Sequence, residues 1–245
     1  MNTETYLKVF DPKVQFEFPE LVVHTHNGMR FYEAPDGNKY PSITTVLGKQ
    51  KGKQKGLQEW RKRIGEEQAR IVSGKAARRG TAFHNICEDM FILSDPEFST
   101  KLEEDHKQKN FLAYCMFKEM KPYFDEKIQR KPLLLEQSMY SSKYKVAGRC
   151  DFIGVYNETL AVVDFKTTTT PKKEEWIDDY FIQCTAYASM YEEHTGIDID
   201  DIVIMMVAED GQVQIFEKKT KDFEDKLETM MDQFYENIDA ELQQL

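Results

Sequence analysis

The sequence has few cysteines and no long apolar run. Its four cysteines lie far apart and form no C-x-x-C pair, which argues against a disulfide framework and against a cysteine-ligated zinc or iron–sulfur site. No apolar stretch approaches the roughly 20 residues that a membrane helix needs. The opening residues, "MNTETYLKVFDPK", contain no apolar secretory core. These absences predict a cytoplasmic protein with reduced thiols and no membrane partner.

Positive charge is scarce overall and unevenly placed. The net charge of the 245 residues is −10. Residues 49–79 nevertheless hold 11 Lys or Arg against 3 Glu, so this basic segment carries +8 and the remainder −18. A local basic segment on an acidic body can make phosphate contacts. A solvated helix face is the alternative explanation of such a charge run.

Turn signals and apolar periodicity predict the order of elements. Asn-Gly and Asp-Gly turns near the N-terminus predict β-hairpins, and helices follow. From Pro132 the pattern predicts three strands, a helix ended near Gly196, two strands joined at Asp210-Gly211 and an amphipathic helix. We therefore expect an α/β fold with a mixed sheet flanked by helices. No linker or repeat is visible, so residues 1–245 are predicted to form one domain. Residues 1–131 would form its N-terminal hairpin and helical elaboration, including the helix that bears His84, and residues 132–245 would form its sheet core.

The stretch "GRCDFIGVYNETLAVVDFKTTTT" predicts two strands that carry charge inside a core. Side chains alternate along a strand, so Asp164 and Lys166 share a face. A two-residue turn at 157–158 would place Asp151 opposite Asp164, where two like charges are destabilising. Mg²⁺ or Mn²⁺ between the carboxylates would remove the repulsion, with Lys166 beside the cation. The alternative is an Asp–Lys ion pair on a solvent-facing edge.

Two further features favour a metal site. Glu136 lies between apolar residues of the preceding strand, "LLLEQSMY", and can approach the same face. His84 and Glu88 stand at i and i+4, so both project from one side of a helix, opposite the apolar Phe83 and Cys87. Neutral imidazole and carboxylate are both reasonable metal ligands.

Four motifs resemble one family of enzymes. "GRCD" followed by "VVDFKT" resembles the core of the PD-(D/E)XK nucleases. "RGTAFHNICE" and "QCTAY" are similar to the G-x-x-x-H-x-x-x-E helix and the Q-x-x-x-Y motif of their RecB-like exonuclease branch. "YPSITTVLG" resembles a loop near the start of phage exonucleases and of the mitochondrial genome maintenance exonuclease. The motifs follow the expected order over residues 40–191, which makes their combination more specific than any one alone.

The resemblance implies roles for individual residues. Lys166 would be the catalytic lysine, and Glu88 and Glu136 would be outer groups of the site or ligands of a second metal. Gln183 and Tyr187, at i and i+4, would line the active-site side of their helix and hold the lysine or the DNA backbone. The implied metal ligands are His84, Asp151, Asp164 and the carbonyl of Phe165.

The expected function is that of a Mg²⁺- or Mn²⁺-dependent DNA exonuclease without an iron–sulfur cluster. It would act on single strands or duplex ends in replication, recombination or repair, in a bacterium or a phage-infected host. A single-strand annealing or replication protein is the candidate protein partner. The expected DNA contacts are Lys51, Lys53, Lys55, Arg78 and Arg79. The alternatives are a structure-specific endonuclease on the same core and a catalytically silent DNA-binding subunit of a recombination complex.

Overall fold

A small antiparallel sheet opens the described part of the chain. The computed structural model describes residues 16–92, 96–129 and 132–243. Residues 1–15 of the predicted N-terminal region lie outside these ranges, and so does residue 131, the last residue before the predicted sheet core. The first three strands are β1 (Val22–His26), β2 (Met29–Glu33) and β3 (Lys39–Pro41), paired in that order. The β1–β2 turn is the Asn27-Gly28 pair, with φ of 50° and 75°, which fits the left-handed turn that Asn-Gly favours.

Five helices follow this sheet. They are α1 (Ile43–Gly48), α2 (Lys51–Ile64), α3 (Glu66–Ile92), α4 (Pro96–Lys109) and α5 (Phe111–Lys127). Gly65 separates α2 from α3. Its φ of 86° is a backbone conformation that residues with a side chain rarely adopt. Helix α2 buries none of its residues. Helix α3 buries the predicted apolar stripe of Phe83, Ile86 and Cys87.

The second sheet has five strands in the order β4-β5-β6-β7-β8. They are β4 (Leu134–Ser141), β5 (Val146–Tyr156), β6 (Thr159–Thr168), β7 (Asp201–Ala208) and β8 (Val213–Lys219). Only β6 and β7 pair in parallel among these neighbours. The connection between them contains α6 (Asp178–Thr195), which ends at left-handed Gly196, and α7 (Glu224–Gln243) follows β8. The predicted mixed sheet flanked by helices is confirmed.

Two apolar layers sandwich this sheet. On one face α1, α6 and α7 pack against the strands through residues such as Val46, Tyr187 and Leu227. On the other face α3 and α5 pack through residues such as Phe83 and Phe117. Strand β6 is therefore the central strand, and polar groups on it are held within the core of the molecule. Within the described residues, no helix is long and apolar enough to cross a membrane.

Candidate active site

The hairpin of β5 and β6 has the register that the sequence predicts. Tyr156 pairs with Thr159, and the ladder continues to Phe152 opposite Val163. Asp151 and Asp164 are the next residues on the two strands beyond this last pair. Both turn residues, Asn157 and Glu158, have positive φ, as a two-residue hairpin turn requires. The two carboxylates therefore meet at the centre of the sheet, where Asp151 and Asp164 are 7% and 1% exposed.

Three side chains from three elements converge beside this pair. His84 Nδ1 of α3 lies 3.3 Å from Asp151 Oδ1 of β5 and 3.6 Å from Glu136 Oε1 of β4. One ligand atom from each of these residues lies within 4.8 Å of the other two. An imidazole and two carboxylates at this spacing form a donor set that suits a divalent cation. These three residues fit the metal that the motifs imply.

Asp164 and Lys166 form the second half of the site. Lys166 Nζ contacts Asp164 Oδ2. Both carboxylate oxygens of Asp164 are buried and lack a well-aligned hydrogen bond among the described residues. Burial raises the pKa of Asp164 to about 7, aided by repulsion from Asp151 and opposed by attraction to Lys166. The ion pair thus exists, but it lies in the central strand and not on a solvent-facing edge. A buried carboxylate that is poorly satisfied by protein donors is a further sign that a cation belongs nearby.

The backbone also holds the site together. The amide of Phe165 donates a hydrogen bond of 2.8 Å to Asp151 Oδ2. This bond leaves Oδ1 of Asp151 directed toward His84. The ring of Phe165 packs in the apolar layer that α3 and α5 form on one face of the sheet. A ligand role for the Phe165 carbonyl stays a prediction, and so does direct ligation by Asp164, which is not one of the three converging residues.

Charge in the site changes the protonation of its members. Burial alone would lower the pKa of His84, but attraction and hydrogen bonding to Asp151, with a contribution from Glu136, raise that pKa to about 10. Burial would likewise lower the pKa of Lys166, but Asp164 and Asp151 raise it above its usual value. Burial and repulsion from Glu136 raise the pKa of Glu88. Without a cation the site therefore holds a protonated imidazole and a protonated amine among its carboxylates.

Helix α6 closes one side of the site. Gln183 Nε2 donates a hydrogen bond of 2.9 Å to the hydroxyl of Tyr187. A Cβ atom at Gly148 would lie 2.6 Å from the Tyr187 ring, so only glycine fits where β5 meets this helix. The ring of Tyr180 lies 5.2 Å from Lys166 Nζ. The sequence motifs do not single out Tyr180. The expectation that Gln183 and Tyr187 hold the lysine or the DNA backbone stays a prediction.

An open cleft of about 370 Å³ gives access to these groups. The predicted residues His84, Glu88, Glu136, Asp151, Lys166, Gln183 and Tyr187 line it. Two arginines that the sequence interpretation leaves without a role, Arg30 and Arg149, line it as well. The sequence indicates a role in the cleft for these two arginines only weakly, because an arginine on a strand is usually a surface residue. A larger cavity of about 640 Å³ lies between α2 and α7 and shares none of the metal-site residues.

The side chains predicted to contact DNA differ in their exposure and in whether they are ion-paired within the protein. Lys51, Lys55 and Arg78 are exposed. Lys53 Nζ lies 2.6 Å from Asp179 Oδ2, so part of its charge is already balanced. Arg79 is ion-paired with Glu209, and its side chain is only 8% exposed. The guanidinium of Arg79 thus already has partners within the protein, and a DNA contact by Arg79 stays a prediction.

A family model and a solved structure are similar to this chain. No curated protein matches the chain. Among solved structures, the chain is similar to the crystal structure of a "putative exonuclease" from Eubacterium rectale, with a TM-score of 0.42 and 14% sequence identity. That match covers 64% of this chain and 66% of the other, which is just under two thirds of its length. The family model of the PD-(D/E)XK nuclease superfamily matches residues 52–245. Since this match spans most of the sequence and contains the whole candidate site except its N-terminal wall, the chain belongs to the PD-(D/E)XK nuclease superfamily.

Proposed function

We propose that the protein is a Mg²⁺- or Mn²⁺-dependent deoxyribonuclease that removes nucleotides from strand ends. The observation that carries this proposal is the convergence of His84, Glu136 and Asp151 within 4.8 Å of one another, in the cleft that also contains Lys166. These three residues would hold the cation. When bound, it supplies Lewis-acid polarisation of the scissile phosphate and activation of the attacking water.

The role of Lys166 follows from its charge. Its pKa is raised by Asp164 and Asp151, so the amine stays protonated at neutral pH and cannot act as a general base. An ammonium held in place by Asp164 and by the ring of Tyr180 can instead stabilise the negative charge that develops on the phosphate. Preorganised positive charge of this kind is often the largest single contribution to catalysis.

Attack on strand ends is supported by the resemblance to the RecB-like exonuclease branch. The G-x-x-x-H-x-x-x-E helix is α3, and its His84 and Glu88 both line the cleft. The Q-x-x-x-Y motif is on α6, and Gln183 and Tyr187 line the same cleft. We extend the proposal to a role in DNA replication, recombination or repair, with a single-strand annealing or replication protein as the partner class.

A degradation assay tests the proposal. The substrates are end-labelled single-stranded DNA, end-labelled duplex DNA and a closed circle, each with Mg²⁺, with Mn²⁺ and with EDTA. We expect progressive shortening of linear DNA with either cation, an intact circle, and no reaction in EDTA. A matched single-stranded RNA of the same length shows whether the sugar matters.

Three outcomes would contradict parts of the proposal. Cutting of the closed circle would favour a structure-specific endonuclease. Binding of DNA with no cleavage under any condition would favour a silent subunit of a recombination complex. Cleavage that persists in EDTA would remove the cation from the mechanism.

A further inference from the structure

Arg149 stands between two carboxylates of the cleft. Its Nε lies 2.8 Å from Glu136 Oε2, and its Nη2 lies 4.0 Å from Glu88 Oε1. Glu136 is 12% exposed and Glu88 33% exposed, so both carboxylates are partly shielded from water. Two carboxylates this close to one cation would repel each other if the cation were removed.

The backbone at Glu136 is unusual and is held by the same arginine. Strands β4 and β5 pair Leu135 with Phe152 and Gln137 with Cys150, so Glu136 is the residue between these pairs, level with Asp151. Its φ is +48°, a left-handed conformation that a residue with a side chain rarely adopts. Arg149 Nε also donates a hydrogen bond of 3.0 Å to the carbonyl of Glu136. One guanidinium group thus fixes both the backbone and the carboxylate of this metal-ligand candidate.

The two oxygens of Glu136 therefore face different positive groups. Oε1 lies 3.6 Å from His84 Nδ1. This is the side of the carboxylate on which His84, Glu136 and Asp151 would hold the cation. Oε2 lies against Arg149. A second divalent cation held by Glu88 and Glu136 would have to occupy the space on the Oε2 side, which the guanidinium already fills. Because Arg149 is half exposed toward the cleft, its remaining N–H groups can donate to a phosphate oxygen.

We infer that Arg149 takes the place of a second metal ion, so that the site binds one divalent cation between His84, Glu136 and Asp151. The inference rests on the proposed function for the identity of the substrate but not for the count of cations. Glu88 and Glu136 are then neutralised by a fixed side chain and not by a mobile ion. Arg149 acts as a positioning residue for Glu136.

Calorimetric titration with Mn²⁺ in the absence of DNA tests the inference. The wild-type protein should bind one ion per chain. Arg149→Ala frees Glu88 and Glu136, so a second and weaker ion should bind. Adding Glu88→Gln to Arg149→Ala should return the stoichiometry to one. Lys143→Ala, which removes a cation from the β4–β5 turn outside the cleft, is the matched control and should resemble the wild type.

A conservative variant keeps the test decisive if Arg149→Ala does not fold. In Arg149→Lys a flexible ammonium cannot hold Glu136 as rigidly as the planar guanidinium, whose Nε contacts the carbonyl and the carboxylate of Glu136 while its Nη2 reaches toward Glu88. We expect it to keep one Mn²⁺ ion but to bind it about 3- to 10-fold more weakly than the wild type does.

Two results would overturn the inference: two ions on the wild-type protein, or a single ion on a folded Arg149→Ala. Where Arg149→Ala does not fold, an Mn²⁺ affinity of Arg149→Lys equal to that of the wild type would overturn it as well. If the wild type bound one ion and Arg149→Ala bound two, but no DNA were cleaved, the inference would stand and the proposed function would fail.

Discussion

Lys166 is the residue on which the proposed chemistry depends most directly. Its amine contacts Asp164 and lies below the ring of Tyr180, so its position is fixed before any substrate binds. Lys166→Ala removes the positive charge but none of the three converging metal-ligand candidates. We expect cleavage to fall by at least about 100-fold, with Mn²⁺ affinity changed much less. Single-turnover cleavage and calorimetry on the same preparation measure the two effects.

An exposed lysine provides the control for this variant. Lys173 is 68% exposed and lies outside the cleft, so Lys173→Ala should cleave at the wild-type rate. Near wild-type cleavage by Lys166→Ala at saturating metal would show that the site has been assigned wrongly. Equal losses of cleavage and of Mn²⁺ affinity would indicate that Lys166 only supports the structure of the site.

Asp164 should make the metal-free protein sensitive to pH. Its pKa is about 7 in the folded protein against 3.8 as an ordinary value. Between these values the unfolded chain releases the proton while the folded chain keeps it, so stability falls as pH rises from about 4 to 7. Asp164→Asn does not titrate. Relative to wild type, the variant should therefore become more stable across this range, and the gain should level off above about pH 7.

Thermal unfolding in EDTA at several pH values measures this difference. A relative gain of about 2 kcal/mol corresponds to roughly 4–8 °C in Tm for a chain of this size. The change with pH is the decisive quantity, because the loss of the partner of Lys166 adds a constant cost. Asp198→Asn, at an exposed carboxylate, should show no such trend. A Tm difference that stays flat from pH 4 to 8 would mean that Asp164 is ionised throughout.

At the scale of elements, helix α3 must be held against β6 for the site to form. Arg79 makes this connection: its Nε lies 3.2 Å from Thr167 Oγ1, and its Nη1 lies 3.3 Å from Thr169 Oγ1. The same guanidinium pairs with Glu209, just beyond β7. His84 lies five residues further along α3, and Thr167 directly follows Lys166. The position of His84 relative to Lys166 should therefore depend on Arg79.

Neighbouring arginines offer a direct test of this connection. Arg79→Ala leaves Glu209 and two threonines without a charged donor and should lower the free energy of unfolding by about 1–3 kcal/mol. It should also weaken Mn²⁺ binding, because His84 is less firmly placed. Arg78 is exposed, so Arg78→Ala should change neither quantity and should weaken only DNA binding. Denaturant unfolding and calorimetry compare the two variants, and equal effects on stability would contradict the assignment.

Element order and strand register could be predicted because they depend on local patterns. Alternation along β5 and β6 and a two-residue turn at Asn157-Glu158 fix the level of Asp151 and Asp164. Helical spacing alone places His84 and Glu88 on one face of α3. The roles of Arg149 and Arg79 could not be predicted, because their partners, Glu136 and Glu209, are brought to them only by the folded sheet. The contact between Tyr180 and Lys166 could not be predicted for the same reason.

At the scale of the whole molecule, charge is separated in space as well as in sequence. Helix α2 carries much of the +8 of residues 49–79 and buries none of its residues. An exposed basic helix on a chain of net charge −10 concentrates the attraction for a polyanion at one location. Burial therefore does not account for the sequence of α2, and we propose that its basic side chains contact a phosphate backbone.

The salt dependence of DNA binding tests this role of α2. Lys51 and Lys55 are exposed, and Lys53 is partly balanced by Asp179. Each phosphate contact contributes about −0.7 to the slope of log K against log salt for single strands. Replacing all three lysines with alanine should therefore reduce the magnitude of the slope by roughly 1.4–2.1, equally for all DNA sequences. Fluorescence anisotropy at several salt concentrations in Ca²⁺ or EDTA measures it.

A second triple variant separates local contact from overall charge. Lys107, Lys109 and Lys118 are exposed lysines of α4 and α5 that do not line the cleft. Replacing them with alanine removes the same three charges and should leave the slope close to that of the wild type. Equal reductions in both triple variants would indicate a diffuse electrostatic effect. An unchanged slope in the α2 variant would mean that the DNA path lies elsewhere, and Arg30 and Arg149 in the cleft would then be the next positions to replace.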